Sequence, residues 1–476
     1  MLVSSLPVSL ALILLLSLLD PISAAPRSRT RTAGQSIPLI RRNAVRSATD
    51  WGTWAKNHKL ALEVKYGGSS SNRKRASGTN LLVNQNADSS YYGTIAVGTP
   101  ATSYNVILDT GSSDLWLADS NCFLGCESIA TFDTTSSSTF RNLSTTFDIT
   151  YGSGRAAGSL AQDTIQMAGF SVSDQIFAVC DEVSSGLLNK PASGLMGLAW
   201  QTIASSGATP FWQQLAANSL WDEPVMAFQL TRFLNDSKAQ TLEPGGSFTM
   251  GFTNSSLYTG EIEYQSIPSG AVSYWILPLT DITVQGNTVT LPSGSSSYSA
   301  IDTGTTLVGG PEDAIAAIFA QIPDAVAGTG DYAGYWMYPC DTDVTVQMSF
   351  GGRLWAIDPA DFRLAQLSQN TCLGAFFALD TGSSAPSWIV GDTFLKNVYS
   401  VFRYNPPSVG FAELSDTALA AVSDSVPSAT IGSIAASVEA TTSAKSDKVQ
   451  SSAPVATPSF ALIASCLLIM IPPMAW

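Results

Sequence analysis

The same aspartate-led motif opens two segments of the chain, Asp109-Thr110-Gly111-Ser112-Ser113 and Asp302-Thr303-Gly304-Thr305-Thr306. Each copy directly follows an apolar run that is typical of a buried strand. Two such loops can bring two carboxyl groups together, and a close pair does not readily hold two negative charges. The pair then shares a proton and presents an acid beside a base, which the activation of a water molecule requires. We therefore predict that Asp109 and Asp302 are the catalytic residues.

A third copy of the motif begins at Asp380, so the motif alone does not identify a catalytic loop. Spacing separates the copies, because Gly197 follows Asp109 by 88 residues and Gly391 follows Asp302 by 89. Asp380 lies only 11 residues before Gly391, inside the second unit. We interpret the third copy as a polar turn between strands.

With these spacings the chain resembles the pepsin-like aspartic proteases of the fungal type, from about Asn80 to Leu414. The resemblance implies an all-β, bilobal fold, in which two pseudo-symmetric β lobes flank a central cleft. It implies an aspartic-type endopeptidase that hydrolyses peptide bonds at acidic pH with a water held between the two aspartates. Besides the two loops, the motifs that carry the resemblance are Tyr91-Tyr92-Gly93, Val97-Gly98-Thr99-Pro100, Asp114-Leu115-Trp116, Tyr151-Gly152-Ser153-Gly154, Gly194-Leu195-Met196-Gly197-Leu198-Ala199 and Trp388-Ile389-Val390-Gly391-Asp392.

The resemblance also implies a set of residues that support the two carboxylates. The hydroxyl residue three positions after each aspartate resembles those that hydrogen-bond the outer carboxylate oxygens. The threonine directly after each aspartate resembles the pair that locks the two loops together. The alternative is that all are ordinary turn residues. The implied supporting residues are Thr110, Gly111, Ser112, Thr303, Gly304 and Thr305.

A candidate flap follows Asp109 by 42 residues at Tyr151-Gly152-Ser153-Gly154. A lid needs a mobile backbone and an aromatic side chain that covers the substrate and excludes water. The resemblance makes Trp116 the hydrogen-bond partner of Tyr151. A plain surface hairpin is the alternative. The predicted flap and substrate-binding residues are Tyr151, Gly152, Ser153 and Trp116.

The histidine count excludes several rival mechanisms. The only histidine is His58, which lies in the predicted propeptide, so the mature body has none. Ser-His-Asp and Cys-His catalysis and His-based zinc sites are thereby excluded in that body. No phosphate-binding or dinucleotide-binding glycine motif occurs in a strand-turn-helix setting. We expect neither a metal nor a cofactor.

The N-terminal part of the chain is cationic and the rest is strongly acidic. Residues 1–75 hold 12 of the 23 Lys and Arg and 3 of the 37 acids, which leaves 11 bases and 34 acids. Such an acidic body is not expected to bind nucleic acid. A cationic propeptide is attracted to it while the carboxylates are ionised, so the chain's own propeptide is an expected partner. Lys65 resembles the propeptide lysine that occupies the paired aspartates in the family.

The ends of the chain carry targeting signals. Residues 1–25 are predicted to be a secretory signal peptide, because their apolar run of about twelve residues is short for a transmembrane anchor, the alternative. Residues 26–75 are predicted to be a propeptide cleaved after Arg75 by a Kex-like protease, although basic runs are often only solvated surface.

We predict an N-terminal lobe at 76–258 and a C-terminal lobe at 259–414, and we expect a monomer. Residues 415–458 are rich in Ser and Thr and have no aromatic residues, which predicts a disordered, O-glycosylated stalk. Residues 459–476 fit a GPI-attachment signal, and a simple hydrophobic end is the alternative. The protein is predicted to be secreted and GPI-anchored at the cell surface or cell wall, with no other membrane contact.

Six cysteines in an exported chain favour disulfides. Cys122 with Cys126, and Cys340 with Cys372, stand at positions that resemble the bridges of the family. Cys466 falls in the segment expected to be removed, so Cys180 is interpreted as a buried free thiol. The glycosylation sequons are at Asn142, Asn235 and Asn254.

Two readings from other classes compete with the peptidase. One is a catalytically inactive pepsin fold used as a binding or inhibitor protein, and the other is a structural wall glycoprotein suggested by the stalk. The substrates predicted for the peptidase are proteins or peptides. Apolar side chains beside the cut are the default, and a yapsin-like preference for basic residues is left open.

Overall fold

A computed structural model describes residues 75–234, 236–270, 272–382, 385–420, 426–428 and 431–440. Several predicted features lie outside the described residues. They are the signal peptide, residues 26–74 of the propeptide with Lys65, the sequon residue Asn235 and the GPI signal. Within the described ranges, no helix has the length and apolar character needed to span a membrane.

The described chain is mostly β, with 27 strands and five short α-helices. The strands of the first half are β1 (Gly78–Gln85), β2 (Ser90–Val97), β3 (Thr102–Asp109), β4 (Leu115–Ala118), β5 (Arg141–Tyr151), β6 (Gly154–Met167), β7 (Phe170–Val183), β8 (Ala192–Gly197), β9 (Val225–Leu230), β10 (Leu242–Met250) and β11 (Tyr258–Ser266). Those of the second half are β12 (Ile276–Pro278), β13 (Asp281–Val284), β14 (Asn287–Val289), β15 (Tyr298–Ile301), β16 (Val308–Gly310), β17 (Val326–Ala327), β18 (Trp336–Pro339), β19 (Val346–Ser349), β20 (Trp355–Ile357), β21 (Arg363–Gln366), β22 (Thr371–Gly374), β23 (Phe376–Ala378), β24 (Trp388–Val390), β25 (Val398–Arg403), β26 (Ser408–Leu414) and β27 (Ala436–Glu439).

The helices are short and lie between strands. The helix at Glu312–Phe319 follows Pro311, and Glu312 and Asp313 occupy its first turn, where acids complement the helix dipole. The five helices are α1 (Phe211–Ala217), α2 (Glu312–Phe319), α3 (Pro359–Phe362), α4 (Asp392–Leu395) and α5 (Asp416–Ala420).

The predicted bilobal β architecture is confirmed. A 14-stranded sheet contains β1 to β11 and also β25, β26 and β27, while three smaller sheets hold the strands from β12 to β24. Strand β25 pairs with β9, so the C-terminal strands complete the sheet of the first half rather than that of the second. The backbone hydrogen bonds between β25 and β9 therefore join the two halves.

The two halves repeat one local arrangement around the candidate aspartates. Strand β3 pairs parallel with β8, which pairs antiparallel with β4. In the second half β15 pairs parallel with β24, which pairs antiparallel with β16. Asp109 lies opposite Gly197 in the first unit, and the Asp302 N–H donates to Val390 O at 3.0 Å in the second. The equal spacing in the sequence therefore reflects an internal structural repeat.

An aromatic cluster supports the junction of the two halves. Trp200 and Trp212 come from the first half and Trp275 from the second, with ring centroids 5.0 to 5.4 Å apart. The Trp275 indole donates to Leu198 O and the Trp212 indole to Ala199 O, both at 2.9 Å. Buried indoles usually have such partners, and the acceptors of Trp212 and Trp275 directly follow Gly197. The cluster thereby fixes the strand that lies behind Asp109.

The C-terminal extension does not follow the expectation of disorder throughout. Residues 436–439 form β27, which pairs parallel with Phe170–Ser173 of β7. Ala436 and Ala440 are buried, while Ser437 and Glu439 are exposed. This alternation fits a strand at a sheet edge, and one strand can use an existing core without building its own. The expectation of disorder therefore does not hold for residues 416–420, which form α5, or for residues 436–439.

We predict that the substitution Ala436→Asp detaches β27, because it places a carboxylate against the sheet. Hydrogen exchange at the Gly169 and Ala440 amides, which donate to Ile431 O and Ser173 O, should speed up about tenfold. Ser437→Asp adds the same charge on the exposed side of the strand and serves as the control. Equal exchange in the two variants would contradict the docking of this strand.

Candidate active site

Asp109 and Asp302 lie together where the two repeated units meet, and both are buried. A Cβ atom built on Gly111 would lie 2.5 Å from the Asp302 carboxyl carbon, and one on Gly304 would lie 2.5 Å from that of Asp109. Each glycine thus gives the opposite carboxyl group the space to approach. Any side chain at either position would push the pair apart.

The hydrogen bonds around the two carboxyl groups are nearly identical. The Gly111 N–H donates to Asp109 Oδ1 at 2.7 Å, and Ser112 Oγ donates to Oδ2 at 2.5 Å. At Asp302 the Gly304 N–H donates to Oδ1 at 2.8 Å and Thr305 Oγ1 donates to Oδ2 at 2.7 Å. Each carboxylate is therefore held at both of its oxygens by donors from its own loop.

Thr110 and Thr303 connect the two loops by four buried hydrogen bonds. Thr110 Oγ1 donates to Ile301 O at 2.8 Å, and Thr303 Oγ1 donates to Leu108 O at 2.7 Å. Each hydroxyl also accepts the other threonine's N–H, at 3.1 and 2.9 Å. We call this set of four bonds the threonine grip. It fixes the distance between the loops from directly beneath the carboxyl groups.

Burial and the neighbouring Asp302 raise the pKa of Asp109 well above its ordinary value. Hydrogen bonds from Ser112 and the Gly111 N–H act in the opposite direction and favour the ionised form. Two carboxyl groups this close titrate as a pair, so a proton is retained between them at a pH where an isolated aspartate is ionised. The site can present an acid and a base at once.

The candidate flap is a β-hairpin in which β5 and β6 are joined at Gly152 and Ser153. The Trp116 indole N–H donates to the Tyr151 hydroxyl at 2.8 Å, which fixes the arm of the hairpin next to the turn. Burial and the charge of Asp109 raise the pKa of the Tyr151 hydroxyl, so it stays neutral. A Cβ on Gly152 would meet nothing within 4 Å, as expected for a projecting turn.

Two residues near the paired carboxyl groups were not predicted. Tyr274 is half-buried, and burial together with Asp302 and Asp109 raises the pKa of its hydroxyl. Asp392 begins α4, and burial raises the pKa of its carboxyl against the effect of Lys396. Tyr274 carries no motif that could signal its position. Asp392 is the last residue of the motif Trp388-Ile389-Val390-Gly391-Asp392, but nothing in the spacing indicated a buried acid.

The third Asp-Thr-Gly copy lies away from the pair. Asp380 is exposed, and its Oδ1 accepts the Gly382 N–H at 2.9 Å, as in a turn. Both expected disulfides are present, Cys122–Cys126 and Cys340–Cys372.

Cys180 is a buried free cysteine, and burial raises the pKa of its thiol. A thiol kept protonated is a poor nucleophile.

Of the sequon residues, Asn142 is exposed, Asn254 is half-buried, and Asn235 lies outside the described residues.

The repeated units and the buried, mutually supported carboxyl pair define a pepsin-like aspartic peptidase. A family profile described as "Eukaryotic aspartyl protease" matches residues 90–414. The "Major aspartyl peptidase 1" of Cryptococcus neoformans var. grubii is 50% identical over 353 residues, which cover 72% of each chain. The "Pepsin A" of Sus scrofa is 33% identical over 334 residues, 69% of this chain and 82% of that protein. The chain belongs to the eukaryotic aspartyl protease family and is an aspartic-type endopeptidase, whose substrates are proteins or peptides.

We predict that Ser112→Ala and Thr305→Ala each lower kcat about tenfold to a hundredfold, because each removes a hydrogen bond to a carboxylate. Thr305→Ser keeps a hydroxyl, as Ser112 does at the equivalent position, and should retain activity. Ser112 lowers the pKa of Asp109. Its loss should therefore move the acidic limb of the kcat/KM profile to higher pH. Steady-state kinetics against pH measure both effects, and equal impairment in Thr305→Ser and Thr305→Ala would contradict the role of the hydroxyl.

Proposed function

We propose that the protein is a secreted endopeptidase, made as a zymogen and active in acid, in which a water between Asp109 and Asp302 attacks the scissile peptide bond. The observation that carries this proposal is the close approach of the two buried carboxyl groups, each opposite the glycine of the other loop. Their matched hydrogen bonds leave both groups equivalent in position. Neither aspartate is assigned one permanent role.

The proposed reaction needs a pair that holds one proton. The ionised carboxyl group takes a proton from the water as its oxygen attacks the carbonyl carbon, and the protonated group donates a hydrogen bond to the carbonyl oxygen. The carboxyl group that took the water proton then gives it to the amide nitrogen as the C–N bond breaks, which frees the amine and restores the singly protonated pair. Loss of the shared proton at high pH removes the acid, and full protonation at low pH removes the base. Activity is therefore expected to peak in acid.

The flap residues supply the cover for this reaction. Tyr151, held by Trp116, is proposed to close over the peptide and exclude water from the cleft. Gly152 and Ser153 at the turn present backbone groups to the substrate.

The proposed zymogen rests on the sequence and on the start of the folded body. Processing after Arg75 would leave Ala76 as the first residue. Ala76 is buried, its N–H donates to Leu220 O at 2.8 Å, and its carbonyl accepts the Asp222 N–H at 2.9 Å. A chain cut at this point keeps its first residue fastened. We further propose that the processed protein is a monomer, attached by a GPI anchor at the cell surface or cell wall.

We predict that Asp109→Asn and Asp302→Asn each lower kcat about 10²- to 10⁴-fold in cleavage of a denatured protein at acidic pH. Each substitution keeps the shape of the side chain and removes an ionisable group. Wild-type cleavage should be blocked by pepstatin, and Asp380→Asn, in the exposed third motif, is the matched control. Cleavage that survives pepstatin or the Asp109→Asn substitution would reject the mechanism. A folded wild type without any cleavage would favour the inactive binding protein.

We predict that the double substitution Lys74→Ala with Arg75→Ala blocks propeptide removal. N-terminal sequencing of the secreted wild type should give Ala76 as the first residue, and the variant should keep its propeptide and show little activity. Arg41 and Arg42 form a second dibasic pair in the same predicted propeptide, so their replacement by alanine is the control. A mature N-terminus unchanged in the Lys74/Arg75 variant would exclude processing at Arg75.

A further inference from the structure

Arg155 lies just beyond the flap turn and forms ion pairs with carboxylates on two other strands. Its Nε donates to Asp148 Oδ2 at 2.8 Å, and a second guanidinium nitrogen contacts the same oxygen. A third nitrogen donates to Glu182 Oε2 at 3.0 Å. Asp148 belongs to β5, the opposite arm of the flap hairpin, whereas Glu182 belongs to β7, outside the hairpin. One side chain therefore connects both arms of the flap to the body of the lobe.

The backbone at the same place is also fastened. The Arg155 N–H donates to Ser184 Oγ, and the Ser184 N–H donates to Arg155 O, both at 2.8 Å. Gly154 has a φ of +154°, and a Cβ built on it would lie 2.7 Å from the Ser184 Cβ. The hairpin thus approaches the end of β7 closely at its first residue after the turn. The guanidinium completes this contact on the solvent side.

We propose that Arg155 is a positioning residue, which holds the flap against β7 in the arrangement where Tyr151 meets Trp116. This inference rests on the flap assigned in the proposed function. The two carboxylates have different duties, because Asp148 travels with the hairpin and Glu182 does not. Asp148 orients the guanidinium in every position of the flap, whereas the pair with Glu182 breaks when the flap lifts from β7. Glu182 is therefore the anchor, and we call the Arg155–Glu182 pair the flap latch.

The latch is weak enough to open during turnover. The Arg155 and Glu182 side chains are 48% and 37% exposed, so water screens the pair. Exposed pairs of this kind shift an equilibrium only severalfold. A lid must open for substrate entry and product release, and a much stronger contact would hold it shut. Opening is expected to weaken binding of an extended peptide more than it slows the chemical step.

Acid should loosen the latch, and the direction of this pH effect follows from the charged groups that face Arg155. The charged groups that act on Arg155 are Asp148 on β5 and Glu182 on β7. Arg155 lowers the pKa of the Asp148 carboxyl, so this pair is present above that lowered pKa and is lost as the pH falls through it. Protonation of Asp148 removes the carboxylate that orients the guanidinium toward Glu182. The flap is thus freer at the acidic end of the working range.

Three single variants and a double variant test the latch. Glu182→Gln keeps side-chain length and polarity, whereas Arg155→Gln keeps polarity with a shorter side chain, and each substitution removes one charge. Arg141→Gln removes an exposed arginine at the far end of β5 and is the matched control. The double variant, Arg155→Gln with Glu182→Gln, measures whether the two side chains act as a unit.

In cleavage of an extended peptide, Arg155→Gln and Glu182→Gln should each raise KM about two- to fivefold with a smaller change in kcat. The double variant should resemble either single variant, and the differences from wild type should shrink as the pH is lowered. Arg141→Gln should behave as wild type. Equal KM values in Arg155→Gln and Arg141→Gln, or additive effects in the double variant, would overturn the latch.

Hydrogen exchange across residues 148–156 tests the latch without any activity. Exchange should speed up about two- to fivefold in Arg155→Gln and Glu182→Gln and stay unchanged in Arg141→Gln. A wild type that exchanges as expected but cleaves nothing would refute the proposed function and keep the latch. A wild type that cleaves in acid, with identical exchange in all variants, would refute the latch and keep the function.

Discussion

The threonine grip is the contact on which the proposed chemistry depends, because it sets the separation of two groups that repel one another when both are ionised. Its four hydrogen bonds are buried and join Thr110 and Thr303 to the backbone of the opposite unit. Buried hydrogen bonds of this kind are costly to break singly, since each leaves an unsatisfied polar group. The grip therefore keeps the two carboxyl groups at a fixed distance. The glycines of the loops then allow the approach that the grip enforces.

Electrostatics explains why this geometry yields one acid and one base rather than two carboxyl groups in the same protonation state. Burial and proximity raise the pKa of Asp109, while Ser112 and the Gly111 N–H favour its ionised form. Neither influence alone would give a useful site, because the first would leave both groups protonated and the second would leave both ionised. Their balance retains one proton on the pair. The equivalent donors at Asp302 make the pair nearly symmetric, so the proton can reside on either side as the reaction proceeds.

Much of this site was predictable from the sequence, because the internal repeat contains the same loop motif and the same type of strand twice. The equal spacing from Asp109 and Asp302 to their glycines separated the true copies from Asp380, which lies in an exposed turn. What escaped prediction has no local signature. Tyr274 reaches the pair only through the folding of the chain, and the alternating residues of β27 sit in a composition that indicates disorder. Pairing partners distant in sequence, such as β7 for β27, cannot be identified from one short segment.

The flap shows how the same charge chemistry acts at two depths in the molecule. Beneath the flap, buried carboxyl groups interact strongly and hold a proton that solvent does not easily remove. On its outer side, Arg155 meets Asp148 and Glu182 in water, where each interaction is worth little, and the pair with Asp148 is lost as the pH falls through the lowered pKa of that carboxyl. A falling pH therefore has two consequences. It supplies the proton that the carboxyl pair shares, and it weakens the contact that holds the flap. Catalytic competence and access to the cleft are in this way linked to one variable, without a dedicated sensor such as histidine.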